Sequence, residues 1–271
     1  MLQIALDRMA VDDVATNPER IVAEIHRQLG DIAPPVPIHE IALALDIDDI
    51  SEARLGRLEG MLVTETVRDI GAIVVNSSSS YERRRYSVGH ELGHFLCQWH
   101  VQTQGKLFEC SRQDMAQPKG DPVHVRQESE ANLFAIELLA PKRFVAPYLN
   151  RYPDLEHVLS LHSKLRISKA AAARRYINLH RQRVAAVFAK DGQFQYIERG
   201  GDFPYIRLEK GQPLPTLPRA ARDNPTSEMV ETDAEEWPGL KRSDELSVQC
   251  LEQADGHAIV LLYLSTESGA D

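Results

Sequence analysis

A chain of 271 residues, 43% of them hydrophobic, is long enough to bury a sizeable core, in one large domain or two to three small ones. Its net charge of −9 excludes a protein that coats nucleic acid over its whole surface, though not a local basic patch. No run is long and apolar enough to cross a membrane. The start MLQIALDR lacks the charged head and apolar centre of a signal peptide, and three cysteines without C-x-x-C spacing make neither a disulfide framework nor a structural zinc site. A soluble enzyme in the reducing cytoplasm is expected.

In chain order, Pro18–Leu29 and Ile38–Leu45 read as helices, and Gly60–Thr66 and Gly71–Val75 as strands. The polar run Asn76–Ser80 reads as a turn with N-capping residues. Residues 82–99 contain no proline and carry Tyr86, Leu92, Phe95 and Leu96 at helical spacing. That helix holds the most informative stretch of the chain, His90-Glu91-Leu92-Gly93-His94. Histidines four apart lie on one helix face, about one turn from each other, so both imidazoles can reach one metal ion. Glu91, on the flank of that face, is placed as general base, taking a proton from attacking water and delivering it to a leaving amine. A tetrahedral oxyanion needs a further donor. Arg83, Arg84, Arg85, Tyr86, His124 and Tyr148 are the candidates.

Two histidines are two ligands, and a catalytic zinc takes three protein ligands and keeps one position open. His100 stands where H-E-x-x-H-x-x-G-x-x-H has its last histidine. The glycine of that pattern is Cys97 here, so the helix is expected to continue and point His100 away. Residues 102–127, with Gly105, Pro118, Gly120 and Pro122, read as a loop able to fold over the cleft. Cys110 lies in it, and a thiolate there is a candidate inhibitory fourth ligand that holds the site latent. Glu128–Pro141 reads as a second helix with an apolar stripe of Ala131, Phe134, Ala135, Leu138 and Leu139. It offers Glu128 as the third ligand, with Asn132 one turn later to accept a hydrogen bond from a ligand imidazole. Glu130 is the rival, and lacks such a partner.

HELGH followed by E-x-E-A-N-x-F-A-x-E-L-L-x-P resembles the ImmA/IrrE family of bacterial metallopeptidases over residues 84–141, with Ala140 where the family often has Met. The resemblance implies a cytoplasmic, gluzincin-like zinc protease. Such a protein cleaves a helix-turn-helix repressor, usually encoded nearby, and so releases stress, DNA-damage or antiphage genes. It implies zinc ligands His90, His94 and Glu128, with Glu91 as base; manganese is the alternative metal. Relatives linked to antiphage signalling operons look similar in having a cysteine near Cys110.

Residues 142–182 read as helices near Lys142–Tyr148, Asp154–Lys164 and Ser168–His180, and resemble the family's helix-turn-helix-like segment. Lys164–Arg183 is rich in Lys and Arg and has no acid, a candidate surface for phosphate backbone or an acidic repressor face. From Arg183 the pattern turns to strands: Val184–Phe188, an Asp191-Gly192 hairpin, Phe194–Ile197, Leu246–Leu251 and Ala258–Leu264. Between them, the proline- and acid-rich Gly211–Glu245 reads as a long loop or a partly disordered insertion. This tail resembles the GAF-like sensor domain of longer family members.

The expected architecture is therefore α+β: a metallopeptidase domain over 1–141, a helix-turn-helix-like segment over 142–182 and a β-rich GAF-like domain over 183–271. The expected partners are a helix-turn-helix repressor as substrate and single-stranded DNA as activator, with no membrane. Two alternatives stand beside the repressor-cleaving protease: a nucleic-acid-binding sensor or regulator whose metal site is structural or vestigial, and a zinc amidase or peptidase for small substrates. Intact Glu91 favours catalysis, because a structural site has no use for a general base.

Overall fold

A computed structural model describes residues 4–102, 107–116, 118–221 and 223–265. Gly105, one of the glycines expected in the loop after the HELGH helix, lies outside the described residues. The fold is mixed α and β, and its internal contacts divide it into two units: one reaches to Pro141 and includes Lys164–Ser168, and the other holds Lys142–Ser163 and Lys169 onward. Among the described residues no helix is long and apolar enough to cross a membrane.

The first unit opens with α1 (Arg8–Asp13), α2 (Pro18–Leu29) and α3 (Ile38–Ala44), followed by β1 (Ile47–Ala53), β2 (Leu58–Thr64) and β3 (Gly71–Asn76). Asn17 caps α2 by accepting from the Arg20 amide, with Pro18 in its first turn, the arrangement that starts a helix sharply. Then come α4 (Tyr81–Leu96), β4 (Leu107–Ser111) and α5 (Pro122–Leu139). The sheet order is β1-β3-β2-β4, with β1 parallel to β3 and the other pairs antiparallel.

Helices α4 and α5 pack closely because small residues meet at their contact. A Cβ on Gly89 would lie 3.4 Å from that of Ala135, and one on Gly93 only 3.1 Å from that of Phe134. Gly93 thus brings the two helices together at the level of the histidines. Phe95 and Phe134 are fully buried, and each contributes on the order of 2–3 kcal/mol.

Three expectations need correction here. The HELGH helix does not run to residue 99: α4 ends at Leu96, and a turn through Cys97 brings His100 back. Arg68, with φ +56°, donates from its guanidinium to the carbonyls of His94 (2.7 Å), Cys97 (2.6 Å) and His100. It therefore satisfies carbonyls that a continuing helix would have bonded, a long-range partner invisible in the local sequence. Second, α5 starts six residues before Glu128, because Asp121 caps it through the Val123 and His124 amides and Pro122 is a first-turn proline, not a loop breaker. Third, Cys110 is in a strand. Phe108 and Cys110 of β4 face inward and Glu109 outward, and Cys110 pairs with Gly60 of β2.

The second unit carries α6 (Lys142–Leu149), most of α7 (Leu155–Leu165) and α8 (Lys169–Leu179). Five strands follow: β5 (Arg183–Lys190), β6 (Gln193–Arg199), β7 (Val230–Thr232), β8 (Leu246–Glu252) and β9 (His257–Leu264). They form one antiparallel sheet of order β6-β5-β9-β8-β7. Asp191 and Gly192 join β5 to β6 with φ +51° and +73°, the left-handed pair a tight hairpin requires. The segment expected as a loop or disordered insertion, Gly211–Glu245, is packed among its described residues. Ala234 and Trp237 are buried with Phe203 and Ile206, and Leu214, Leu217 and Leu240 press on the same core. These side chains follow no helical or strand period, so their burial leaves no periodic trace in the sequence.

Candidate metal centre and active site

His90 and His94 are fully buried on α4, with their Nε2 atoms 3.2 Å apart. Glu128 on α5 faces both: its Oε2 lies 3.1 Å from His90 Nε2 and its Oε1 3.3 Å from His94 Nε2. Cys110 from β4 completes the group, and one ligand atom from each of the four residues lies within 4.8 Å of the others. Two imidazole nitrogens, a carboxylate and a sulfur, all buried, are the donor set that suits a zinc ion. Burial alone would raise the Glu128 carboxyl; its hydrogen bonds to the two imidazoles outweigh this and hold it well below the usual carboxylate range. Burial likewise opposes charge on His90, but Glu128 prevails and raises it, whereas burial dominates at His94 and pushes it down to about 4.

Glu91 sits beside this group, fully buried. Burial pushes its carboxyl up to about 8, against His90 and Cys110. Oε2 is 3.6 Å from Cys110 Sγ, and Oε1 has no hydrogen-bond partner. An orphaned, buried carboxylate oxygen is costly and points to a missing partner, which a cation or a water beside it would provide. Space for that carboxylate depends on Gly60: a Cβ there would clash with Glu91 Oε1. Burial, then Glu91 and Glu128, raise the Cys110 thiol well above its ordinary value, so without a cation it is protonated.

Each histidine is held from behind. Asn132 Oδ1 lies 3.1 Å from His90 Nδ1; its Nδ2 donates to the Asp114 carbonyl at 2.9 Å, and Tyr86 Oη donates to Oδ1 at 3.0 Å. His94 Nδ1 lies 3.0 Å from His100 Nδ1, and His100 Nε2 lies 2.9 Å from Glu130 Oε2. Burial, with His94 and Arg68 close by, pushes His100 down to about 2, so its ring is neutral. Glu130 is therefore occupied behind the group, with Trp99 Nε1 donating to it at 2.6 Å, while Glu128 faces the histidines.

Among the candidate oxyanion donors, His124 is the one beside Glu128, its Nδ1 3.9 Å from Oε1 and its Nε2 3.1 Å from Asp114 Oδ1. Arg85 is spent on the Val36 and Arg166 carbonyls, and Arg84 on the Ser79 carbonyl and Glu52. Tyr86 is bonded to Asn132, and Arg83 reaches toward Glu59 at 3.9 Å. Tyr148 belongs to the second unit. Sequence reasoning missed Gly60, Asp114 and Arg68. It treated His100 and Glu130 only as rivals for the metal. Trp99-His100 paired with a glutamate two residues after the ligand was the available signal.

Residues 56–176 match the Peptidase M78 family, described as the IrrE N-terminal-like domain. Among solved structures, a Mycobacterium tuberculosis transcriptional regulator is similar in fold, with TM-score 0.54 and 12% identity over 95% of this chain and 77% of that one. No curated protein matches.

Proposed function

Starting from an IrrE N-terminal-like domain of the Peptidase M78 family over residues 56–176, we propose that this chain is a zinc-dependent endopeptidase that cleaves a helix-turn-helix transcriptional repressor and so derepresses stress, DNA-damage or antiphage genes. The observation that carries the reading is the convergence of both Nε2 atoms on the Glu128 carboxylate beside a buried glutamate with an unpartnered oxygen. His90, His94 and Glu128 would hold the ion; manganese is the alternative. Zinc supplies there the Lewis acidity that activates water and a scissile carbonyl. Glu91 then receives the proton of the attacking water and passes it to the leaving amine. Gly60 gives that carboxylate room, and His124, oriented by Asp114 and lying beside Glu128, is the proposed donor to a developing oxyanion. The buried walls exclude bulk water and strengthen every charge interaction inside.

Cys110 is the fourth donor in this reading and holds the protease latent until an activator displaces it. Since Cys110 is anchored in β4, activation has to shift a paired strand and not a free loop. Single-stranded DNA is the proposed activator. The run from Lys164 to Arg183 supports it only in part, because Arg175 is buried and Arg174 donates to Tyr196 Oη at 3.0 Å. In the same proposal, the peptidase domain covers 1–141, a helix-turn-helix-like segment 142–182 and a GAF-like sensor 183–271, acting in the cytoplasm. The division of the fold into two units supports the boundary at residue 141, while α6, α8 and the five-stranded sheet lie in one unit.

The purified protein is to be mixed with the repressor encoded beside its gene, with zinc, and with or without single-stranded DNA. Cleavage that stops on chelation supports the reading; an intact repressor in every condition defeats it. Cys110→Ser is expected to cleave without activator, at or above the activated wild-type rate. Cleavage by this variant that still depends on the activator would remove Cys110 from the regulatory role. Gly60→Ala is expected to keep its zinc and its fold but lose about 10²-fold in cleavage rate, because the methyl displaces the Glu91 carboxylate. An unimpaired Gly60→Ala would show that the carboxylate works from elsewhere.

A second reading, a nucleic-acid-binding regulator with a structural metal site, is favoured by the same four donors, since structural zinc sites are closed by four protein ligands. It predicts that Cys110→Ser weakens metal binding and produces no cleavage.

A further inference from the structure

His94 meets His100 through two Nδ1 atoms 3.0 Å apart, a distance that holds one hydrogen. Which ring carries it is decided one step further out. His100 Nε2 faces Glu130 Oε2 at 2.9 Å, and a carboxylate only accepts. The hydrogen of the neutral His100 ring is therefore on Nε2, its Nδ1 is an acceptor, and the hydrogen between the rings belongs to His94 Nδ1. That leaves Nε2 of His94, on the side facing His90 and Glu128, as the atom that would meet a cation. The opposite tautomer would put a hydrogen on Nε2 and remove His94 as a donor.

The relay is built to hold this arrangement. Trp99 Nε1 donates to the same Glu130 oxygen at 2.6 Å, His100 is 2% exposed, and Arg68 fixes the turn by binding the carbonyls of Cys97 and His100. His90 is set differently, by the single Asn132 amide, whose orientation the Asp114 carbonyl determines.

We propose that His100 and Glu130 are positioning residues that fix the tautomer of His94 and strengthen it as a metal donor through a His94–His100–Glu130 relay. The proposal rests on the reading of His94 as a metal ligand. It assigns Glu130 a role distinct from that of Glu128, two residues away.

The test uses the full-length protein and zinc alone. Zinc affinity is read by chelator competition, and the hydrogen bond between the His94 and His100 rings by nitrogen-15 NMR of the zinc-loaded protein. Glu130→Ala and His100→Leu are expected to bind zinc about 10–100-fold more weakly than wild type, with Glu130→Gln recovering most of the loss because its amide oxygen still accepts. In zinc-loaded wild type, His94 Nδ1–H should donate to His100 Nδ1; in Glu130→Ala that hydrogen bond should weaken or be lost. Wild-type protein that binds no zinc defeats the metal reading on which the relay rests. Zinc binding equal in wild type, Glu130→Ala and His100→Leu, or no hydrogen bond between the two Nδ1 atoms in zinc-loaded wild type, overturns the relay. The wild-type spectrum decides the point even if the variants fail to fold.

Discussion

Glu91→Gln is expected to lower repressor cleavage by about 10²–10⁴-fold while zinc binding and thermal stability are retained. The amide has the shape of the carboxylic acid and fits the space beside Gly60, but it cannot take a proton from water. Stability should hold or rise slightly. Glu91 is fully buried with one oxygen unpartnered, and burial already pushes its carboxyl up to about 8, so the fold gains nothing from its ionised form. Rates measured at matched zinc occupancy, together with a melting curve, separate chemistry from folding. If Glu91→Gln cleaves like the wild type, the proton acceptor is another group and the proposed mechanism falls.

Glu128→Ala should reduce zinc affinity by about 10²–10⁴-fold, more than the loss expected for Glu130→Ala. Removing one partner from a buried charged group costs about 3–5 kcal/mol, and each 1.4 kcal/mol is tenfold in affinity. Glu128 is the carboxylate that both Nε2 atoms face, at 3.1 and 3.3 Å, so its loss removes the one carboxylate ligand shared by the two imidazoles. Glu130 reaches the centre only through His100. Chelator competition on the two variants ranks them directly. A larger loss for Glu130→Ala would reverse the assignment of the two glutamates.

The candidate residues of the site are legible in the sequence because their spacing is local. Helical spacing alone aligns His90 with His94 and places Glu91 on their flank, and the next helix offered Glu128 one turn before Asn132. Caps and breakers marked α2 to the residue, and the Asp191-Gly192 turn announced the hairpin of β5 and β6. Where the reading failed, the deciding partner was distant in the chain. Cys97 looked able to continue a helix, but Arg68, 29 residues earlier, takes its carbonyl and turns the chain. Cys110 looked mobile between glycines and prolines, but its strand pairs with β2.

What the sequence by itself determined is the candidate histidine and glutamate donors and the two helices that carry them, because a period of 3.6 residues converts spacing into facing. Only the tertiary structure decided that Glu128 and not Glu130 faces the histidines, that Cys110 joins them from a strand, that Gly60 leaves room for Glu91, and that His100 and Glu130 stand behind His94. Those relations are contacts across α4, α5 and β2. They depend on how closely two helices pack at Gly93 and on which strand lies over them, and no periodicity within one segment encodes either.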